Sequence, residues 1–217
     1  MRLSLHIGLS CGLSLSVIAA VAAPTDLYLL IGQSNMAGRG ALSEAPRLSS
    51  DHVWKFDKNN HWVPGVEPIH FDRPNTGVGP GLAFARALAD ADPSVEIGLI
   101  PCAEGGSPLA RWEPGQDLYV RAVARTRAAL ATGGCLRGIL WHQGEADSWS
   151  REKAESYAVR LTNMVTRLRT ALGAPDVPFL AGEVGLHYAT SIEARGGKAF
   201  VSTVNAQIRQ AVASLPR

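Results

Sequence analysis

Three short segments concentrate the side chains able to do chemistry. Gly32-Gln33-Ser34-Asn35-Met36-Ala37-Gly38 follows directly on the apolar run Leu27-Tyr28-Leu29-Leu30-Ile31, which sets a serine hydroxyl at a strand-to-loop turn. A nucleophile is useful there, because backbone N–H groups left unpaired at such a turn can stabilise the oxyanion that a serine attack creates. The segment is not the G-x-S-x-G elbow, since Met36 stands where the second glycine would be. Its plainer reading is a turn in which Ser34 or Asn35 caps a helix. Pro101-Cys102-Ala103-Glu104-Gly105-Gly106-Ser107 ends a second apolar run with paired glycines, which let a reacting group approach the backbone; a simple turn would look the same. Trp141-His142-Gln143-Gly144-Glu145-Ala146-Asp147 is denser, with an imidazole, an amide and two carboxylates, one of which could serve as a helix cap.

These segments need elements to hold them. Strand-length apolar runs at 27–31, 95–101, 136–142 and 177–184 alternate with helical spacing at 81–91, 118–131, 151–172 and 202–214. That alternation predicts an α/β fold with a central parallel sheet. Ligands in such sheets bind beyond the carboxyl ends of the strands, where 32–40, 102–112, 142–147 and 183–188 all fall. Between them, 38–81 is rich in Pro, Gly, Asn and Asp, and Val53–Phe56 and His61–Val63 flanking Asp57-Lys58-Asn59-Asn60 read as a small surface hairpin.

Composition excludes other classes. In 217 residues, 21 Lys and Arg against 19 Asp and Glu leave +2, with 46% hydrophobic residues. Disorder and nucleic-acid binding both need a charge imbalance that is missing. Residues 1–22 read as a secretory signal, with Arg2, a Leu-rich run and Ala20-Val21-Ala22 as the cleavage site, followed by one domain over 23–217. Ser4, His6, Ser10, Ser14 and Ser16 interrupt the run and argue against a membrane anchor, so the mature chain is expected outside the cytoplasm and off the membrane. Cys102 and Cys135 lie at opposite strand ends, roughly 20 Å apart for six residues at about 3.3 Å each. A disulfide needs Cα atoms within about 7 Å, so two buried free thiols are expected.

Taken together and in this order, Gly32-Gln33-Ser34-Asn35-Met36, Gly77-Val78-Gly79-Pro80-Gly81, Ile100-Pro101-Cys102-Ala103-Glu104-Gly105-Gly106 and Trp141–Asp147 resemble the SGNH hydrolase superfamily. The likeness is to its sialate O-acetylesterase-like branch and carbohydrate esterase family six, which includes acetylxylan esterases. It implies a three-layer α/β/α, flavodoxin-like sandwich that removes O-acetyl groups from carbohydrate through an acyl-enzyme. Ser34 would be the nucleophile, and the oxyanion hole the N–H groups of Ser34 and Gly105 with the Gln143 amide. Asn35, Glu145, Asp147 and Glu183 would support the site. The family's closing block, an Asp and a His three residues apart, has no counterpart in the 217 residues. The resemblance therefore implies weak or absent turnover unless His142 or His187 serves as a substitute base, or else a non-catalytic carbohydrate-binding remnant or truncated product. Neither cofactor nor metal is expected, since His52, His61 and His70 lack metal-site spacing.

Overall fold

The computed structural model describes residues 23–44 and 51–216. The expected signal at 1–22 lies outside the described residues. Among the described residues, six strands form one sheet in the order β3-β2-β4-β1-β5-β6. They are β1 (Asp26–Gly32), β2 (Val53–Phe56), β3 (Trp62–Pro64), β4 (Ile97–Pro101), β5 (Cys135–His142) and β6 (Phe179–Gly182). All neighbours run parallel except β3, which is antiparallel to β2.

The central strand shows how the sequence builds the layers. Successive side chains of a strand point to opposite faces. Leu27, Leu29 and Ile31 of β1 enter one core, while Leu30 enters the other. The first core is covered by α3 (Asp117–Leu130), α5 (Tyr157–Leu172) and α7 (Val201–Ser214), the second by α2 (Pro80–Ala91). Each fully buried large side chain in these cores contributes about 1.5–3 kcal/mol, and Trp112 against Trp141 is held edge-on with ring centres 5.5 Å apart. The chain is thus a three-layer α/β protein, as its alternation predicts.

Several details differ from the expectations. The hairpin at 53–64 is not a detached surface feature: Val53, Trp54 and Lys55 pair with Ile97, Gly98 and Leu99 and extend the main sheet. The single helix expected at 151–172 is two, α4 (Arg151–Glu155) and α5, broken at Ser156, whose hydroxyl bonds the Lys153 carbonyl. Such local bonding by serine competes with helix continuity. A helix over Leu186–Glu193, α6, follows β6 where a loop was expected. A four-residue helix, α1 (Ser34–Ala37), opens at Ser34.

Both described cysteines are free. Cys135 begins β5 opposite Asp26, whereas Cys102 follows the carboxyl end of β4, so the predicted separation holds. Cys135 is however exposed, correcting the expectation that both thiols are buried; only Cys102 is. Burial pushes the Cys102 thiol up to about 11, against the opposing pull of Arg125 and Arg121. A maleimide at neutral pH, mapped by peptide, should therefore label Cys135 in the native protein and reach Cys102 only after denaturation.

Candidate active site at the carboxyl edge of the sheet

Ser34 is positioned by backbone rather than by side chains. Gln33 N–H donates to the His142 carbonyl at 2.9 Å and Glu104 N–H to the Gly32 carbonyl at 3.0 Å, so the loops after β1, β4 and β5 are tied together. Ser34 is the first residue of α1, whose N-terminus carries no side-chain cap. The capping role considered for Ser34 or Asn35 is therefore not filled. Among the described residues, neither the half-buried Ser34 hydroxyl nor its N–H has a protein partner. The side-chain amide of exposed Asn35 reaches instead to the Glu145 carboxylate. Glu145 is buried, and its second oxygen has no partner.

The Gln143 amide is fully spent elsewhere. Its Nε2 lies 2.8 Å from Asp147 Oδ2 and 3.1 Å from both Gln33 Oε1 and the Ser107 carbonyl. Its Oε1 accepts the Tyr157 hydroxyl at 2.6 Å. Two N–H donors facing three acceptors leave nothing to offer an oxyanion in this arrangement, and the side chain is wholly buried. Asp147 anchors the same network, accepting Leu109 N–H at 2.8 Å and Arg160 at 3.3 Å. It does not cap α4; the Ser150 hydroxyl does, accepting Lys153 N–H. Burial drives the Tyr157 phenol well above its usual range, against its bond from Trp141, so it stays a donor.

Gly105 is likewise engaged. Its N–H donates to Asp72 Oδ2 at 2.9 Å, and its carbonyl accepts Arg73 at 2.7 Å. The Asp72 side chain, 1% exposed, also takes Arg39 at 2.7 Å and the Thr76 hydroxyl at 2.6 Å. Burial alone would raise its pKa; Arg39, Thr76 and Gly105 outweigh burial and hold it below the ordinary carboxylate value. The donor left open is one residue on. Gly106 sits at the exposed tip of the Glu104–Ser107 turn with φ +77°, and its N–H has no protein partner among the described residues. Paired glycines were the signal for that donor, but they could not say which would be spent. Asp72 and Arg39, in the irregular stretch, had no periodic signal at all.

The histidines are dispersed. His142 ends β5 with its ring against Gly182 of β6 and a buried, unpartnered Nδ1. His187 is exposed on α6, and Glu183 is exposed and paired with Arg209 at 2.7 Å. Neither His142 nor His187 bonds Ser34. His70 is 3% exposed, and burial lowers its pKa to about 4, although a bond to the Leu30 carbonyl and the Asp72 charge pull the other way. The unfolded chain, with His near 6.5, takes up a proton across that window while the folded chain does not. Stability is therefore complete above about pH 6.5 and falls towards pH 4, by about 3 kcal/mol from this group. Urea titrations at stepped pH should show that slope, and His70→Gln should flatten it.

A serine without a protein partner among the described residues, at the head of a helix on the carboxyl edge of a parallel sheet, stands where an α/β hydrolase would carry its nucleophile. Comparison with known proteins narrows this. Residues 24–215 match the family described as carbohydrate esterase, sialic acid-specific acetylesterase, and the chain belongs to that family of carboxylic ester hydrolases. A protein of Arabidopsis thaliana named as a probable carbohydrate esterase is 35% identical over 179 residues, covering 72% of this chain and 68% of that protein. A protein of Escherichia coli K12 named as a probable 9-O-acetyl-N-acetylneuraminic acid deacetylase is 27% identical over 225 residues, covering 76% and 69%. The X-ray structure of the Arabidopsis protein superimposes with a TM-score of 0.77 at 31% identity, covering 87% of this chain and 82% of that one. A carbohydrate acetylesterase from Xanthomonas citri shares the fold, with a TM-score of 0.61 at 18% identity over 88% and 48% of the two chains.

Proposed function

We propose that this chain removes O-acetyl groups from carbohydrate through a Ser34 acyl-enzyme, with acetylated xylan as the substrate. The observation that carries the reading is the unbonded Ser34 hydroxyl at the head of α1, in a chain of the carbohydrate esterase family. Ser34 Oγ attacks the acetyl carbonyl, its proton passing to a base; the tetrahedral intermediate expels the sugar alcohol, and water then hydrolyses the acetyl-serine. The Ser34 and Gly106 N–H groups, both without protein partners among the described residues, receive the oxyanion. Gly105 and Gln143 hold the surrounding loops, consistent with the bonds that already occupy them. Slow turnover is expected, because among the described residues no histidine bonds Ser34, and a serine hydrolase without its base keeps only about 10³ to 10⁴-fold catalysis over water. After cleavage near Ala23 the mature protein acts outside the cytoplasm.

A second reading, O-acetylated sialic acid as substrate, is favoured by a cavity of about 350 Å³ beyond β4, whose wall sets Lys58, Arg121 and Arg125 against Asp72 and Glu104 and so keeps a cationic excess for a sugar carboxylate. The E. coli relative's name points the same way. Acetate release from an aryl acetate, acetylated xylan and O-acetylated sialic acid, by the wild type and by Ser34→Ala, tests all of this. The expected result is slow release that Ser34→Ala abolishes, faster on xylan than on sialic acid. Equal release by both proteins would remove Ser34 from the mechanism, and sugar binding without Ser34-dependent release would make the chain a carbohydrate-binding protein. Fast, Ser34-dependent release would instead assign the base to His142 or His187, separable by single alanine substitutions.

A further inference from the structure

Resting on the sugar-esterase reading, we infer that Trp149 is a platform for a second sugar ring, the neighbour of the one whose acetyl group meets Ser34. The indole is 52% exposed at the carboxyl edge of the sheet. It is also fixed. Its Nε1 donates to the Tyr188 hydroxyl of α6 at 2.8 Å. Gly197 closes on its far edge, where a β-carbon would stand 3.6 Å from Cζ3. The backbone just before it is pinned, with Ser148 N–H on the Gly144 carbonyl at 2.9 Å and Phe200 N–H on the Ser148 carbonyl at 2.7 Å.

A satisfied indole N–H leaves only the ring's π surface to face outward. That surface carries negative charge density, which suits the weakly positive C–H face of a pyranose better than an anion or a hydroxyl. A ring already held in one orientation loses little freedom when a ligand stacks on it. The location fits a neighbouring sugar. Trp149 closes the turn that begins at Gly144 and includes Glu145, whose carboxylate holds Asn35, the residue after Ser34. Arg151 and Lys198 lie 4.8 Å and 5.4 Å from the ring centre of Phe200, the residue whose N–H bonds the Ser148 carbonyl, and provide donors for sugar hydroxyls.

The test measures binding, in the Ser34→Ala protein so that no ligand is consumed. Acetylated xylotetraose and acetylated methyl xyloside are titrated by calorimetry with and without Trp149→Ala. Tenfold weaker binding of the tetraose with less than twofold change for the xyloside is the expected result, and Trp149→Phe should restore most of it. Tyr188→Phe, which frees the indole without removing it, should weaken the tetraose by a smaller factor. Unchanged tetraose affinity, or equal losses for both sugars, would overturn the platform. So would failure of the Ser34→Ala protein to bind either sugar, whereas Ser34-dependent aryl acetate release by the wild type would then leave the esterase chemistry standing.

Discussion

Asp147→Ala is expected to lower the unfolding free energy by about 3–5 kcal/mol, the usual cost of removing one partner from a buried ionic network. Asp147 is wholly buried and serves Leu109 N–H, the Gln143 amide and Arg160 at once. Arg160 keeps Glu113 at 2.7 Å and the Gln143 amide keeps Gln33 and Ser107, but the Leu109 N–H would lose its acceptor inside the protein. Each orphaned donor costs about 1–3 kcal/mol. Asp147→Asn retains the shape and one acceptor oxygen, so its loss should be smaller. Urea denaturation of the three proteins decides this, and an alanine variant within 1 kcal/mol of wild type would mean that water replaces the carboxylate.

Gly32→Ala should be harsher still, at about 4 kcal/mol or more, with little folded protein recovered. Gly32 has φ +132°, and a β-carbon there would stand 2.2 Å from the His142 carbonyl oxygen. That oxygen is backbone of the paired strand, so no side chain can swing aside. Either β1 or β5 must move, and the bond from Gln33 N–H to the same carbonyl breaks with it. Ser34 is two residues away. Circular dichroism and thermal melting of purified variant would check the expectation; a melting curve matching wild type would contradict it.

The layered fold was legible in the sequence because strand and helix leave different periods: Leu27–Ile31 has the continuous apolar character of a doubly buried strand, and Leu82, Ala85 and Ala89 recur at helical spacing on α2. Pairing partners leave no such mark. Val53–Phe56 reads as a strand, but nothing local says that it lies along β4 rather than apart from the sheet. The site divides similarly. Ser34 was legible from its place after a strand, whereas the availability of a donor depends on distant partners. Gly105 is occupied by an aspartate 33 positions earlier, and Gln143 by Gln33, 110 positions earlier. Cys135 was misjudged because β5 extends one residue past its apolar run, to an exposed end.

The three loops around Ser34 are joined by peptide-to-peptide bonds: Gln33 to His142, Glu104 to Gly32, and Cys102 to Leu30. Every amino acid but proline brings the N–H that such a bond requires. The frame is therefore indifferent to most side-chain exchanges at those positions, and residues such as Glu104 can be replaced to retune the surroundings while the serine keeps its address. A scaffold fastened in this way is open to diversification of specificity by point substitution, with glycine and proline marking the boundaries of what it tolerates.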